Sequence, residues 1–327
     1  MTVDARSGNK IGADGAAAEG MDERLIERLR RIAPVKTGEI LARHTTFGIG
    51  GPADIFATVR HAHELAEAVI AAREFESPYF VLGAGSNILV GDAGIRGLVI
   101  DNQTKGIEGP RELAGEHVLR AESGTPFAAL ARNLAKRGFG SIEWACGIPG
   151  TLGGAAVYNA GAYDGCLADV LRSITILDTD NVRRELPADA LGLMYRGSAF
   201  TRGEFSGRVV LSAEITVTPR DALLLVRKIA AYDAQRLDAQ PRGRNSGSTF
   251  KNPAGHHAWE LIDKVGLRGT RMGDAQISEK HCNFLVNLGA ARAADVYALM
   301  REARRRVKEQ FGIDLQNEVE LVGEGFE

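Results

Sequence analysis

Apolar residues recur along this chain with two spacings, one near 2 and one near 3.6, and their succession lays out the fold. Asp54 to Val59 alternates as a strand does, and Leu65, Val69 and Ile70 then share one face of a helix near Glu64 to Glu74. Pro78 resets the chain to extended structure. Tyr79 to Leu82, Gly97 to Ile100 and His117 to Ala121 are short apolar runs bounded by turn residues, the signature of buried strands. Thr125 and Pro126 supply an N-cap and first helical position, Phe127, Leu130 and Leu134 an apolar stripe, and Gly138 a stop. Ile174 to Leu177 and Val209 to Val217 read as further strands, and Pro219, Arg220 and Asp221 then break the pattern. Helices follow over Ala222 to Leu237 and from about Ala294 to Phe311. The second turns Val296, Leu299, Met300, Ala303 and Val307 inward and ends at Gly312.

The expected organisation is therefore a tail over 1–20, a β-rich unit over 21–219 and a mixed α and β domain over 220–327. The tail is assigned because Met1 to Gly20 has no periodic apolar face to offset its ordering entropy. At 327 residues, more than one core is the prior. The net charge of −2 gives no long-range attraction to polyanions, so no nucleic-acid partner is expected. Three scattered cysteines, Cys146, Cys166 and Cys282, fit neither a disulfide framework nor a thiolate zinc site, and a reducing cytoplasm is the simplest compartment. No apolar run approaches the roughly 18 residues needed to span a bilayer, and the start lacks a basic segment leading into an apolar one, so neither a membrane nor secretion is expected. A monomer is expected. Arg304, Arg305 and Arg306 sit late in the last helix, where cations suit its dipole, as a solvated face or, alternatively, an anion site.

Two glycine-rich segments carry the first chemical signal. Gly83, Ala84, Gly85, Ser86 and Asn87 follow a strand, and such a loop lets main-chain N–H groups approach a phosphate while Ser86 and Asn87 add side-chain bonds. A Rossmann turn is the competing reading, with Asp101 near the position of a ribose-binding carboxylate. Against it, Ile88 occupies the third glycine position and Gly91 and Gly94 leave no room for a crossover helix. The second segment, Gly147, Ile148, Pro149, Gly150, Thr151, Leu152, Gly153 and Gly154, is too glycine-dense for mere connection and points to cofactor contact. If Gly153 and Gly154 open a helix, their N–H groups face a pyrophosphate. Two cradles suit one dinucleotide.

These segments recur in order with Thr46 to Gly51, Tyr195 to Ser198, Gly247 to Pro253, Ser278 with His281 and Asn283, and Glu318 with Val319. In this the chain resembles the UDP-N-acetylenolpyruvoylglucosamine reductases, flavoenzymes of peptidoglycan precursor synthesis, from about Val35 to Gly323. The motifs Thr46 to Gly51 and Gly83 to Asn87 belong to the wider vanillyl-alcohol-oxidase-like flavoproteins, and those around Arg196, Ser248 and Glu318 to the reductase. The resemblance implies an α+β fold: a two-lobed, PCMH-type unit holding FAD non-covalently, with lobes about 21–102 and 103–219, then a substrate domain. It implies NADPH as hydride donor and a nucleotide sugar as substrate. Ala156-Val157-Tyr158 and Gly197 depart from the usual family pattern. The short stretch from Arg196 to Ser248 marks the shorter version of the family, lacking an insertion with a substrate-covering tyrosine.

Read as chemistry, the implied roles are coherent. Hydride addition to an enolpyruvyl double bond needs the adjacent carboxylate to accept charge. Arg196 is a planar, permanently charged donor for it, a protonated Glu318 hydrogen-bonds the developing enolate, and Ser248 protonates the carbon beside the carboxylate. Arg236, Lys251 and Asn252 are candidates for the UDP and sugar. Tyr163 and Tyr195 suit either the flavin site or core packing. His44 and His281 have no carboxylate or cysteine at ligand spacing, so no metal is expected and they are assigned to capping or packing. Two rival readings stand beside this one, a flavin oxidase or dehydrogenase of sugars or lactones and a non-catalytic nucleotide-binding module.

Overall fold

The computed structural model describes residues 15–327, with side chains from residue 23 onward. Of the expected tail, residues 1–14 lie outside the described residues, whereas Gly15 to Gly20 already belong to a helix, Gly15–Arg30. The described chain forms two compact units. The first takes the residues up to Thr37 together with Asp54–Gly83 and Arg96–Tyr232. The second takes Gly38–Ala53, Ala84–Ile95 and Asp233–Glu327.

The first unit is built on two sheets. In one, the strands run in the order Val35–Ile40, Pro52–Val59, Ile95–Asn102, Tyr79–Leu82. Helix Ala62–Glu74 buries Leu65, Ala66, Ala68 and Val69 with Ile55, Val59, Leu98 and Ile100, as its 3.6-residue spacing requires. Leu25 and Leu29 of the first helix join them. Tyr79–Leu82 and Ile95–Asn102 are parallel, with Tyr79 opposite Leu98. Their connection contains a short strand, Ile88–Val90, and no helix, which removes the Rossmann reading. Asp101 accordingly spends its carboxylate inside the fold, accepting bonds from the Thr58 hydroxyl and the Gln103 amide.

The other sheet is antiparallel, in the order Arg183–Pro187, Leu171–Leu177, Val209–Pro219, Glu116–Glu122, Ile107–Leu113, with Phe139–Gly140 pairing onto the long third strand. Its core joins Leu119, Ile174, Ile176 and Ile215 to Phe127, Leu130 and Leu134 of helix Phe127–Lys136. That helix starts one residue later than Thr125 and Pro126 imply. Pro126 is its cap, without a side-chain cap bond, and the Phe127 N–H donates to the Gly150 carbonyl instead. Gly138 does mark its end, with φ +79°.

In the second unit, helix Ala293–Phe311 buries all five apolar positions expected of it and stops at Gly312, whose φ is +71°. Arg305 pairs with Glu302 and Glu309, Arg306 with Glu302, and Arg304 with Asp314, all on the helix's half-exposed to exposed side, so these arginines form a solvated face. The helix packs with Leu261 and Ile262 of helix Ala258–Lys264 and with Phe47, Ile49 and Leu89 from the two N-terminal segments. A three-stranded sheet, Arg271–Met272, Ala275–Ile277 and Leu285–Asn287, and a parallel pair of Ile88–Val90 with Glu320–Val322 complete the unit. Among the described residues no helix is long and apolar enough to cross a membrane.

Candidate active site

In the first unit, the loop Gly147–Gly154 runs along the surface of a buried core. Glu143 to Cys146 and Thr151 to Gly153 are buried on either side, while Gly147 to Gly150 and then Gly154 stay partly or fully exposed. Thr151 caps the following seven-residue helix, Leu152–Tyr158, and accepts from the Gly154 N–H at 3.4 Å. The Gly153 N–H donates to the Ser123 carbonyl at 2.8 Å and that of Leu152 to Thr125 at 2.9 Å. The expectation of free helix-opening N–H groups at Gly153 and Gly154 is thus corrected, because the fold already uses both donors.

The glycines separate into two kinds. A Cβ on Gly153 would lie 2.8 Å from the Ser123 Cβ and 3.0 Å from its carbonyl oxygen, so that residue is glycine for packing. Above Gly154 there is open space, with only the Thr151 hydroxyl near, at 3.7 Å. Gly83, at the end of strand Tyr79–Leu82, abuts the same threonine: a Cβ there would lie 2.9 Å from the Thr151 hydroxyl. Gly147 to Gly150 and Gly154 thus present accessible main chain without charged side chains, beside Gly83.

Arg196 occupies a tight turn in the same unit. Met194 and Gly197 exchange both main-chain bonds, at 3.0 and 3.2 Å, and Arg196 between them has φ +51°. A left-handed arginine is strained by about 1 kcal/mol or more, so the turn must be held from outside. Asn159, itself left-handed, donates to the Met194 carbonyl, and the buried Ser198 hydroxyl donates to Val157 at 2.6 Å. The guanidinium donates to the Gly161 carbonyl at 2.8 Å and lies 5.4 Å from the Tyr195 ring centre. Tyr195 is exposed, whereas Tyr163 stacks on Tyr232 at 4.1 Å and donates to its carbonyl.

Ser248 and Glu318 stand on adjoining segments of the second unit. Residues 248–250 form an extended segment lying between 283–284 and 317–318, with Ser248 bridged to Phe284 and Phe250 to Asn317. The Glu318 N–H donates to the Thr249 carbonyl at 2.8 Å, and the Thr249 N–H to the Asn283 carbonyl at 2.7 Å. Asn283 is buried and grips Phe250 from both sides, accepting from its N–H and donating to its carbonyl. Asn87 donates from its side-chain amide to the Glu318 carbonyl at 3.0 Å. Both Ser248 and Glu318 are half-buried. Thr46 ties in the neighbouring loop, bonding Gly85 through its N–H and Asn245 through its hydroxyl.

The substrate candidates are less uniform. Lys251 continues the ladder, its N–H donating to Gln316, and is half-buried. Asn252 is exposed and its side-chain oxygen accepts from the Ala258 N–H at the start of a helix. Arg236 is half-buried on helix Ala222–Ala239. His281 packs on Phe284, its Nδ1 accepts from the Asn283 N–H, and burial holds its pKa below the usual value. Burial pushes the Cys282 thiol up to about 11, which keeps it protonated and inert. Asn283, quoted above only as part of a motif, emerges as the residue that fixes the serine segment. Its signal in the sequence was that motif, which marks the residue without its task.

A family model described as the FAD binding domain matches residues 53–185, and one described as the C-terminal domain of UDP-N-acetylenolpyruvoylglucosamine reductase matches 238–322. The reductase of that name from Agathobacter rectalis is 41% identical over 296 residues, covering 88% of this chain and 93% of its own length. The chain belongs to the UDP-N-acetylenolpyruvoylglucosamine reductase family. A second such reductase, from Symbiobacterium thermophilum, is 39% identical and covers 93% of this chain and 97% of its own. The crystal structure of the reductase from Thermus caldophilus superposes with a TM-score of 0.73 at 35% identity, covering 89% of this chain and 99% of that one. The α+β architecture, an FAD-binding unit followed by the reductase's C-terminal domain, is that of the family.

Proposed function

We propose that this protein reduces the enolpyruvyl group of UDP-N-acetylglucosamine enolpyruvate to UDP-N-acetylmuramate, using FAD and NADPH, in peptidoglycan precursor synthesis. The carrying observation is the main-chain bond from Glu318 to Thr249, which sets the acid and Ser248 on adjoining segments. Gly83 to Ser86, Gly147 to Thr151 and Gly154 would hold the flavin, with Gly153 packing the loop against Ser123. Once reduced by a hydride from NADPH, bound FAD would supply a hydride to the substrate's methylene carbon and return to its oxidised form.

The chain's own residues do the rest. Arg196 holds the substrate carboxylate and stabilises the charge that moves onto it. A substrate carboxylate beside Glu318 favours its protonated form, which donates a hydrogen bond to the enolate oxygen. Ser248 delivers a proton to the carbon bearing the carboxylate, and because serine is a weak acid its proton is replaced through Lys251 or Glu318 on the paired segments. Lys251, Asn252 and Arg236 serve the UDP and sugar. Along the chain, 21–219 would serve as the flavin module and 220–327 as the substrate module, and the protein would act as a cytoplasmic monomer.

The test divides the cycle. The purified protein is expected to be yellow, to bleach when NADPH is added anaerobically, and to regain colour on adding the enolpyruvyl nucleotide. Ser248→Ala should bleach at the wild-type rate and recolour roughly 100-fold or more slowly. A wild-type protein whose reduced flavin ignores the nucleotide would sink the reading.

A further inference from the structure

The bond from the Asn87 amide to Glu318 assigns that residue a task other than the phosphate contact its place in the glycine loop suggests. Asn87 stands where the parallel pair begins. Its carbonyl accepts from the Glu320 N–H at 3.0 Å, and Ile88, Leu89 and Val90 then lie opposite Glu320, Leu321 and Val322. Through its side chain the ladder extends one step further back, to the Glu318 carbonyl at 3.0 Å. On its other side Glu318 donates its N–H to Thr249, next to Ser248. Both main-chain polar groups of Glu318 are therefore fixed, one to the serine segment and one to the loop Gly83–Asn87.

The Glu318 N–H lies in the peptide before its Cα and the C=O in the peptide after it, so fixing both restrains φ and ψ at Glu318, and Asn87 and Thr249 together set the direction of its Cα–Cβ bond. Without the amide, the peptide after Glu318 loses the clamp on its carbonyl but retains the longer bond from the Val319 N–H to the Thr249 carbonyl at 3.3 Å, so it is loosened. A displacement of about 1 Å in a catalytic group costs on the order of 100-fold in rate.

Resting on the proposed reaction, we infer that Asn87 is a positioning residue: its side-chain amide aims Glu318 at the substrate by clamping the Glu318 carbonyl, and does not hold the flavin phosphate. Asn87→Ala should retain flavin and be reduced by NADPH within about twofold of wild type, while reoxidation by the enolpyruvyl nucleotide falls roughly 10- to 100-fold. Asn87→Asp is the sharper variant. As a carboxylate it has no proton for the carbonyl and repels it; protonated, it donates again. Its reoxidation rate relative to wild type should rise as pH falls from 8 toward 5, while the same ratio for Asn87→Ala stays flat. A role in folding alone would not produce that difference.

A tenfold loss of flavin affinity in Asn87→Ala would overturn the inference in favour of a phosphate contact, and so would unchanged rates in both halves of the cycle. Should wild type fail to reduce the nucleotide, the proposed reaction falls by itself. The clamp is then read by amide hydrogen exchange, which must quicken over 318–320 in Asn87→Ala. Unaltered exchange there refutes the clamp whatever the reaction.

Discussion

At the scale of single residues, adjacent glycines in one loop are expected to respond in opposite ways to the same methyl group. Gly153→Ala drives a Cβ against the Ser123 side chain and main chain, 2.8 and 3.0 Å away, and overpacking of that kind costs about 1–3 kcal/mol. Gly154→Ala meets open space on a helix, where alanine is favoured over glycine by up to about 1 kcal/mol. Thermal denaturation of the flavin-free proteins should show a lower midpoint for Gly153→Ala and an equal or higher one for Gly154→Ala, and flavin titration should show weakened affinity in the second. Normal flavin binding by Gly154→Ala would remove that residue from the cofactor surface. The sequence revealed that glycines gather here but not which were emptied by a neighbouring side chain and which by a ligand, because Ser123 approaches only in three dimensions. Arg196, Ser248 and Glu318 were legible only through motif resemblance. Their supports, Asn159, Asn283 and the Asn87 amide, satisfy main-chain groups from distant segments, so the motifs that contain Asn87 and Asn283 did not reveal what they hold.

Among the elements, helix Ala293–Phe311 shows why periodicity is readable. Its five inward positions are all buried and its end falls on a left-handed glycine, so local preference and tertiary packing agree. Its outer face makes a pH prediction. Arg305 first, and then Arg306, hold the Glu302 carboxyl down at about 2 from an ordinary value near 4.5. A carboxylate whose folded pKa is depressed stabilises the protein above its unfolded pKa, and the contribution disappears as pH falls from about 4.5 to about 2. Glu302→Gln should therefore lose about 1 kcal/mol at pH 7, a shift of roughly 2 °C in melting midpoint, with the gap to wild type narrowing steadily below pH 4.5. A constant gap across that range would mean the ion pairs contribute nothing. Strands were less legible than helices. Arg183–Pro187 is an edge opening with three charged residues and packing only the half-buried Leu186 on the core, and Glu320–Val322 is three residues long, so each exists because a partner strand supplies its bonds.

For the whole molecule, chain order and spatial order differ, and that too has a measurable consequence. Pro219 to Asp221 reads as a break and helix Ala222–Ala239 does start after it, yet the division between the compact units falls inside that helix, after Tyr232, and the second unit also draws in Gly38–Ala53 and Ala84–Ile95. These insertions could not be read from hydropathy, since Phe47, Ile49 and Leu89 are as apolar as any core residue and nothing local names the core they enter. In the structure all three are buried among Leu261, Val296, Leu299 and Val319. Ile88–Val90 is the strand paired with Glu320–Val322, and Asp92 accepts from the N–H groups of Ala293 and Ala294 at the start of the long helix. A fragment spanning Asp233–Glu327 would lose that strand, that cap and three large core side chains, each worth about 1.5–3 kcal/mol when fully buried. Their sum is comparable to the whole stability of a domain of this size. The fragment is therefore expected to show no cooperative denaturant transition and little amide protection along Ala293–Phe311, while the full chain shows both. Two-state unfolding of the isolated fragment would mean that the N-terminal segments merely decorate a self-sufficient domain.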